Sequence, residues 1–126
     1  MARDPVEWLR QADYDMETAD AMFAAGRFFY TVFMCHLSIE KALKGLYELK
    51  LKKVTPKTHN LIYLVKEIRL KPPEEVGKFL VKLNEASITT RYPDELEEIL
   101  KNYTKETVEE MITRSKEALR WTKTQQ

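Results

Sequence analysis

The segment from about Phe28 to about Leu51 constrains this chain more than any other. It runs without a proline and carries Phe28, Phe29, Val32, Phe33, Leu37, Ile39, Leu43, Leu46 and Leu49. These spacings predict one long helix with apolar residues on more than one face. Such a helix must be covered on several sides, so it is the expected centre of the fold. Its few polar residues are therefore informative. In a helix, residues three or four apart share a face. His36, Glu40 and Lys44 fall in one column, with Glu40 before Lys44 in the favourable order. They form either a structural ion pair or part of a site.

The flanking segments also read as helices. Asp4 can cap a first helix, Pro5 suits its first position, and Glu7 would complete a capping box. The apolar stripe of that helix is Val6, Leu9, Ala12, Met16, Ala19 and Phe23, and Gly26 can end it in a left-handed conformation. Pro56 then disfavours helix at Thr55. Thr58 or Asn60 can cap a short third helix with Leu61, Ile62, Leu64, Val65 and Ile68. Lys71-Pro72-Pro73 forces a turn before a fourth helix, expected from about Pro73 to about Ala86. Ser87 to Asp94 reads as irregular, because β-branched residues and Pro93 oppose helix. Glu95 to Tyr103 can form one or two turns. A last helix, from about Lys105 to about Thr124, places Val108, Met111, Ile112, Ser115, Leu119 and Thr122 on one side. No segment alternates as a strand would. The expected fold is all-α, an up-and-down bundle of about five helices in a single domain over 1–126.

Charge and cysteine content narrow the function classes. The net charge is +1, so no global charge directs the chain to nucleic acid or to an anionic membrane. Locally, Lys41 to Lys57 carries a surplus of about +5, and Asp94 to Glu110 one of about −5. Each run is either a solvated face, with the two attracting one another, or a functional rim. No apolar run is long enough to span a membrane, and the charged start does not fit a signal peptide. The one cysteine, Cys35, permits no intrachain disulfide. A cytoplasmic protein is expected.

Several residues are candidates for chemistry. His36 can bind phosphate or act as a base, or it is a core histidine bonded to a helix neighbour. Lys41 and Lys44 can hold a phosphate as point charges. The alternative for Lys44 is a surface pair with Glu40, worth a few tenths of a kcal/mol. His59 lies near a helix start, where backbone N–H groups favour anions, or it packs the loop. Arg91, Tyr92 and Asp94 occupy an expected loop, where recognition residues concentrate. Arg can grip phosphate, Tyr can stack on a base, and Asp can cap a helix or accept from a base edge. The alternative is a Tyr-Pro turn, with Arg91 bonded to the acidic segment that follows. Cys35 and His36 point about 100° apart on a helix and are poorly placed to share one ion. Neither a metal nor another cofactor is expected, and Cys35 reads as a buried, inert thiol.

Three ordered pieces bring the chain close to a known family. Asp13-Tyr14-Asp15-Met16-Glu17-Thr18-Ala19 precedes Ala25-Gly26-Arg27-Phe28. The stretch His36 to Leu46 follows, containing Glu40-Lys41-Ala42-Leu43-Lys44. Then come Thr58-His59-Asn60-Leu61 and Thr90-Arg91-Tyr92-Pro93-Asp94. In order and spacing these resemble the HEPN domain over nearly the whole chain. The resemblance implies a helical bundle that commonly dimerises, and exposed Phe28, Phe29 or Trp121 would favour a homodimer. It also implies a frequent partner, a minimal nucleotidyltransferase, in toxin–antitoxin pairs. Many HEPN domains are metal-independent ribonucleases that use an Arg followed by a His four to six residues later. This chain lacks that motif. No Arg stands at the required distance before His36 or His59, and no His follows Arg91. The expectation is a domain that binds a nucleotide or RNA and a nucleotidyltransferase partner, with His36, Glu40, Lys44, Arg91, Tyr92 and Asp94 as its binding residues. Two rivals stand beside it: a ribonuclease using Arg91, Tyr92 and His36, and a plain interaction module.

Overall fold

The structure, a computed structural model, describes residues 4–92 and 95–126, with the side chain of position 90 left aside. Among the described residues it contains six helices and no strand. They are α1 (Pro5–Ala24), α2 (Phe28–Leu51), α3 (Leu61–Ile68), α4 (Glu74–Arg91), α5 (Leu96–Asn102) and α6 (Lys105–Lys123). The all-α expectation holds, and α2 is the central element, packed against the other five.

The helix ends follow their local chemistry. Asp4 accepts from the Val6 N–H at 2.9 Å and starts α1. Glu7 does not turn back to complete a box; its carboxylate accepts from Gln11 at 3.2 Å. Gly26 takes φ +76°, and the Arg27 and Gly26 N–H groups return to the carbonyls of Met22 and Phe23. These paired bonds satisfy the last carbonyls of α1 and reverse the chain into α2. Asn60 caps α3 through the N–H groups of Ile62 and Tyr63. Thr104 caps α6.

The core runs along α2. Val32, Ile39, Leu43 and Leu46 meet Ala12, Met16 and Ala19 of α1, Leu61 and Leu64 of α3, Leu80 and Leu83 of α4, and Val108, Met111 and Leu119 of α6. Val6 departs from the expected stripe and is exposed. Where α1 crosses α2 the backbones come close. A Cβ on Gly45 would stand 3.0 Å from the Trp8 Cβ and 3.3 Å from the Pro5 carbonyl. Any side chain there would ask the first turns of α1 to give way by a few tenths of an ångström.

Two further expectations are corrected. α4 does not stop near Ala86 but continues to Arg91. Ala86 and Ser87 are buried, and the Ser87 hydroxyl donates to the Asn84 carbonyl at 2.7 Å. Burial on this face outweighs the weak helix propensity of Ser-Ile-Thr-Thr. Pro93 restricts chiefly the residue before it, and Tyr92 is where the helix ends, at φ −128°. Arg91 is thus a helix residue, not a loop residue. The aromatics offered for a dimer face are also covered: Phe29 is buried, and Phe28 and Trp121 are half-buried. The exposed large apolar side chains include Tyr30, Ile88, Tyr92, Leu96 and Leu100. No described helix is long and apolar enough to cross a membrane.

Candidate functional site

Glu40 is the hub of the site. It lies halfway along α2 and is almost fully buried, which a lone carboxylate tolerates badly. Its partners explain why it is there. Lys44 Nζ stands 3.1 Å from Oε2, one turn further along the helix. His59 Nδ1 is 2.9 Å from Oε1. Arg91 Nη2 is 3.6 Å and His36 Nδ1 3.8 Å from the same oxygen. Three parts of the chain therefore meet at one carboxylate: α2, the loop before α3, and the last turn of α4.

The Lys44–Glu40 pair is buried, not a surface pair. Breaking it would strand a charge, so it matters far more than a few tenths of a kcal/mol. His36 is sealed in the interior, and neither of its ring nitrogens has a hydrogen-bond partner among the described residues. Burial pulls its pKa down from 6.5 to about 4, against the attraction of the Glu40 carboxylate and with help from the Arg91 charge. It is neutral at pH 7. Two basic side chains, Lys44 and Arg91, thus face the single carboxylate of Glu40.

The cluster opens to solvent on one side. Tyr30, Phe33, His59, Arg91 and Tyr92 line a shallow depression of about 370 Å³. The Arg91 guanidinium lies over the Phe33 ring, 4.9 Å from its centroid. Its Nε and Nη2 are buried without a hydrogen-bond partner among the described residues. The His59 side chain is 56% exposed and Tyr92 is 76% exposed. A guanidinium held by a ring and a carboxylate loses little freedom on meeting an anion. Aromatic faces around it suit a flat ring.

The candidate residues divide clearly. His36, Glu40, Lys44 and Arg91 are brought together, and Tyr92 borders the depression. Asp94 lies outside the described residues. Lys41 is elsewhere, paired with the buried Asp15 at 2.9 Å. Arg91 turns to Glu40, and among the described residues no ion pair joins Arg91 to the acidic segment after it or the basic run to the acidic one. Cys35 is buried, and burial pushes its thiol up to about 11. Among the described residues no three His, Cys, Asp or Glu side chains gather as a metal site requires. The sequence reasoning missed Tyr30 and Phe33 and undervalued His59. A signal for the first two is present in the chain: Tyr30 and Phe33 extend the helical column of His36 and Glu40 upstream at the same spacing.

Comparison with known proteins agrees with this fold. The HEPN domain family matches residues 6–125, and the chain belongs to that family. The chain is similar to ST0689, an archaeal HEPN homologue, at 25% identity and a TM-score of 0.78, with 98% of each chain covered. It shares its fold with TT1696 from Thermus thermophilus, at 20% identity and a TM-score of 0.82, over 97% of this chain and 98% of that one. No curated protein matches.

Proposed function

We propose that this HEPN domain binds a nucleotide or an RNA phosphate in the depression at Arg91. The observation that carries the reading is the partly buried Arg91 guanidinium, clamped between Phe33 and Glu40, with His59, Tyr30 and Tyr92 around it. Arg91 supplies charge to a phosphate, and the aromatic rim supplies stacking surface to a base. Lys44 offsets Glu40 and leaves the site cationic. His36 stands behind Glu40, sealed from the depression. A nucleotidyltransferase partner or a second copy of this chain would use the exposed apolar side chains beside the depression, Tyr30, Leu96 and Leu100.

Titration calorimetry with ATP, AMP and a short single-stranded RNA at low salt tests the reading. Low salt is needed because phosphate contacts weaken as salt rises. Saturable binding is expected, with Arg91→Ala weakening it roughly tenfold to a hundredfold, as loss of a charged hydrogen bond does. Absence of binding by all three ligands would leave a plain interaction module as the better account.

The ribonuclease reading draws on one observation, the convergence of His36 and Arg91 on a single Glu40 oxygen. His36 is sealed from the depression, so a substrate would meet His59 instead. RNA cleaved by the purified chain, and not by Arg91→Ala, would establish that reading over simple binding.

A further inference from the structure

The two charged runs of the chain lie at opposite ends of α2. The start of that helix, from Phe28 to Tyr30, lines a groove of about 280 Å³ with Leu96, Ile99 and Leu100 of α5. Glu95, Glu97 and Glu98 are exposed beside it. Lys50, Lys52, Lys53 and Lys57 are exposed at the other end, on the last turn of α2 and the loop that follows. From Tyr30 to Lys50 a helix advances roughly 30 Å, about three Debye lengths at ~0.1 M salt. The two runs are therefore too far apart to neutralise one another within one chain. Among the described residues, none of these acidic or basic side chains forms an ion pair.

Each run also carries apolar side chains in the open. Leu96 and Leu100, one turn apart on α5, are 64% and 49% exposed, while Ile99 beside them is buried and anchors the helix. Val54 is 58% exposed, at the edge of a cleft lined by Trp8, Pro56 and Lys57. One end of the molecule is thus an apolar ridge with acidic flanks, and the other an apolar cleft with a basic rim. We propose that these ends bind one another between copies of this chain. Leu96 and Leu100 of one copy seat in the Trp8–Val54–Pro56 cleft of the next, with Glu97 and Glu98 against Lys53 and Lys57. The two surfaces are different, so the contact is head-to-tail, and each bound copy leaves a free end for another. A pair that closes on itself about a two-fold axis would stop at two. The proposal does not rest on the nucleotide reading. The contact is small and charge-steered, which makes it weak and sensitive to salt.

Sedimentation velocity of the full chain tests this. At low salt the wild type should pass from monomer to species larger than a dimer as its concentration rises towards ~1 mM, the range of a small contact. Salt at about 0.5 M should weaken the association roughly tenfold. Leu96→Ser with Leu100→Ser removes the ridge, and Lys53→Glu with Lys57→Glu reverses the rim. Each double variant alone should stay monomeric, with its helix content unchanged in circular dichroism because all four positions are exposed. Mixed one to one, the two variants should form a dimer and go no further, because a single intact ridge then meets a single intact cleft. Growth and salt dependence of the wild type decide the matter even without the variants. A wild type that stays monomeric, a wild-type dimer that does not grow, or a mixture of the variants that remains monomeric would overturn the proposal.

Discussion

Glu40 and Glu48 lie two turns apart on α2, and both are almost fully buried, yet they play different parts. Glu48 accepts from the Trp8 indole N–H at 2.8 Å and from the Thr55 backbone N–H at 3.0 Å. Its partners are neutral and fixed, one from α1 and one from the loop after α2. That carboxylate ties two segments to the central helix. Glu40 faces Lys44, Arg91 and two imidazoles, and two of those groups reach the surface depression. A buried carboxylate ringed by neutral donors is a structural tie. One ringed by cations and open on one side fits the proposed role of presenting those cations to a ligand.

The largest effect should come from Glu40→Ala. It strands Lys44 and Arg91 beside a cavity and should cost roughly 3–5 kcal/mol in urea unfolding, the range for breaking a buried ion pair. A cost below about 1 kcal/mol, the range of exposed pairs, would mean that the cluster is solvated and that the contrast with Glu48 fails.

The next effect is a pH dependence that His36 gives to the Glu40 region. The folded pKa of His36, about 4, lies below the unfolded value of 6.5. Between these values the unfolded chain binds the extra proton, so stability rises with pH. The contribution is fully present above 6.5 and is lost as pH falls from 6.5 towards 4. Its size is about 3 kcal/mol by the linkage relation. His36→Gln should flatten that part of the stability profile. A profile identical to wild type would place the acid sensitivity elsewhere.

The smallest effect should be that of Glu48→Ala. It removes one acceptor from two part-buried N–H groups that water can still reach, so the cost should be that of two ordinary hydrogen bonds, about 1–3 kcal/mol in all. Nucleotide affinity should be unchanged, because no side chain of the depression touches Glu48. A parallel loss of affinity would merge the two regions into one.

Much of the fold is legible without coordinates. Asp4, Gly26 and Asn60 mark helix ends because capping is local chemistry. The stripe of α6 and the many-sided apolarity of α2 follow from periodicity, and so does the column His36–Glu40–Lys44. Contacts between distant residues are another matter. His59 lies 19 positions from Glu40, and no spacing rule connects them. Arg91 is legible as a candidate for phosphate binding but not as a partner of Glu40. Its placement depends on α4 running past Ala86 to Arg91, where burial of Ser87 overrides local propensity. The weak helix formers Ser-Ile-Thr-Thr point the other way.

The most direct test of the account compares the two carboxylate regions within one sample. In nitrogen-15 spectra of the chain titrated with adenosine 3′-monophosphate at low salt, the Arg91 guanidinium and His59 ring signals report on Glu40. The Trp8 indole signal reports on Glu48. The account predicts saturable shifts of Arg91 and His59 with a still Trp8 indole. A moving indole with Arg91 unmoved, or no saturable shift at either place, would contradict it.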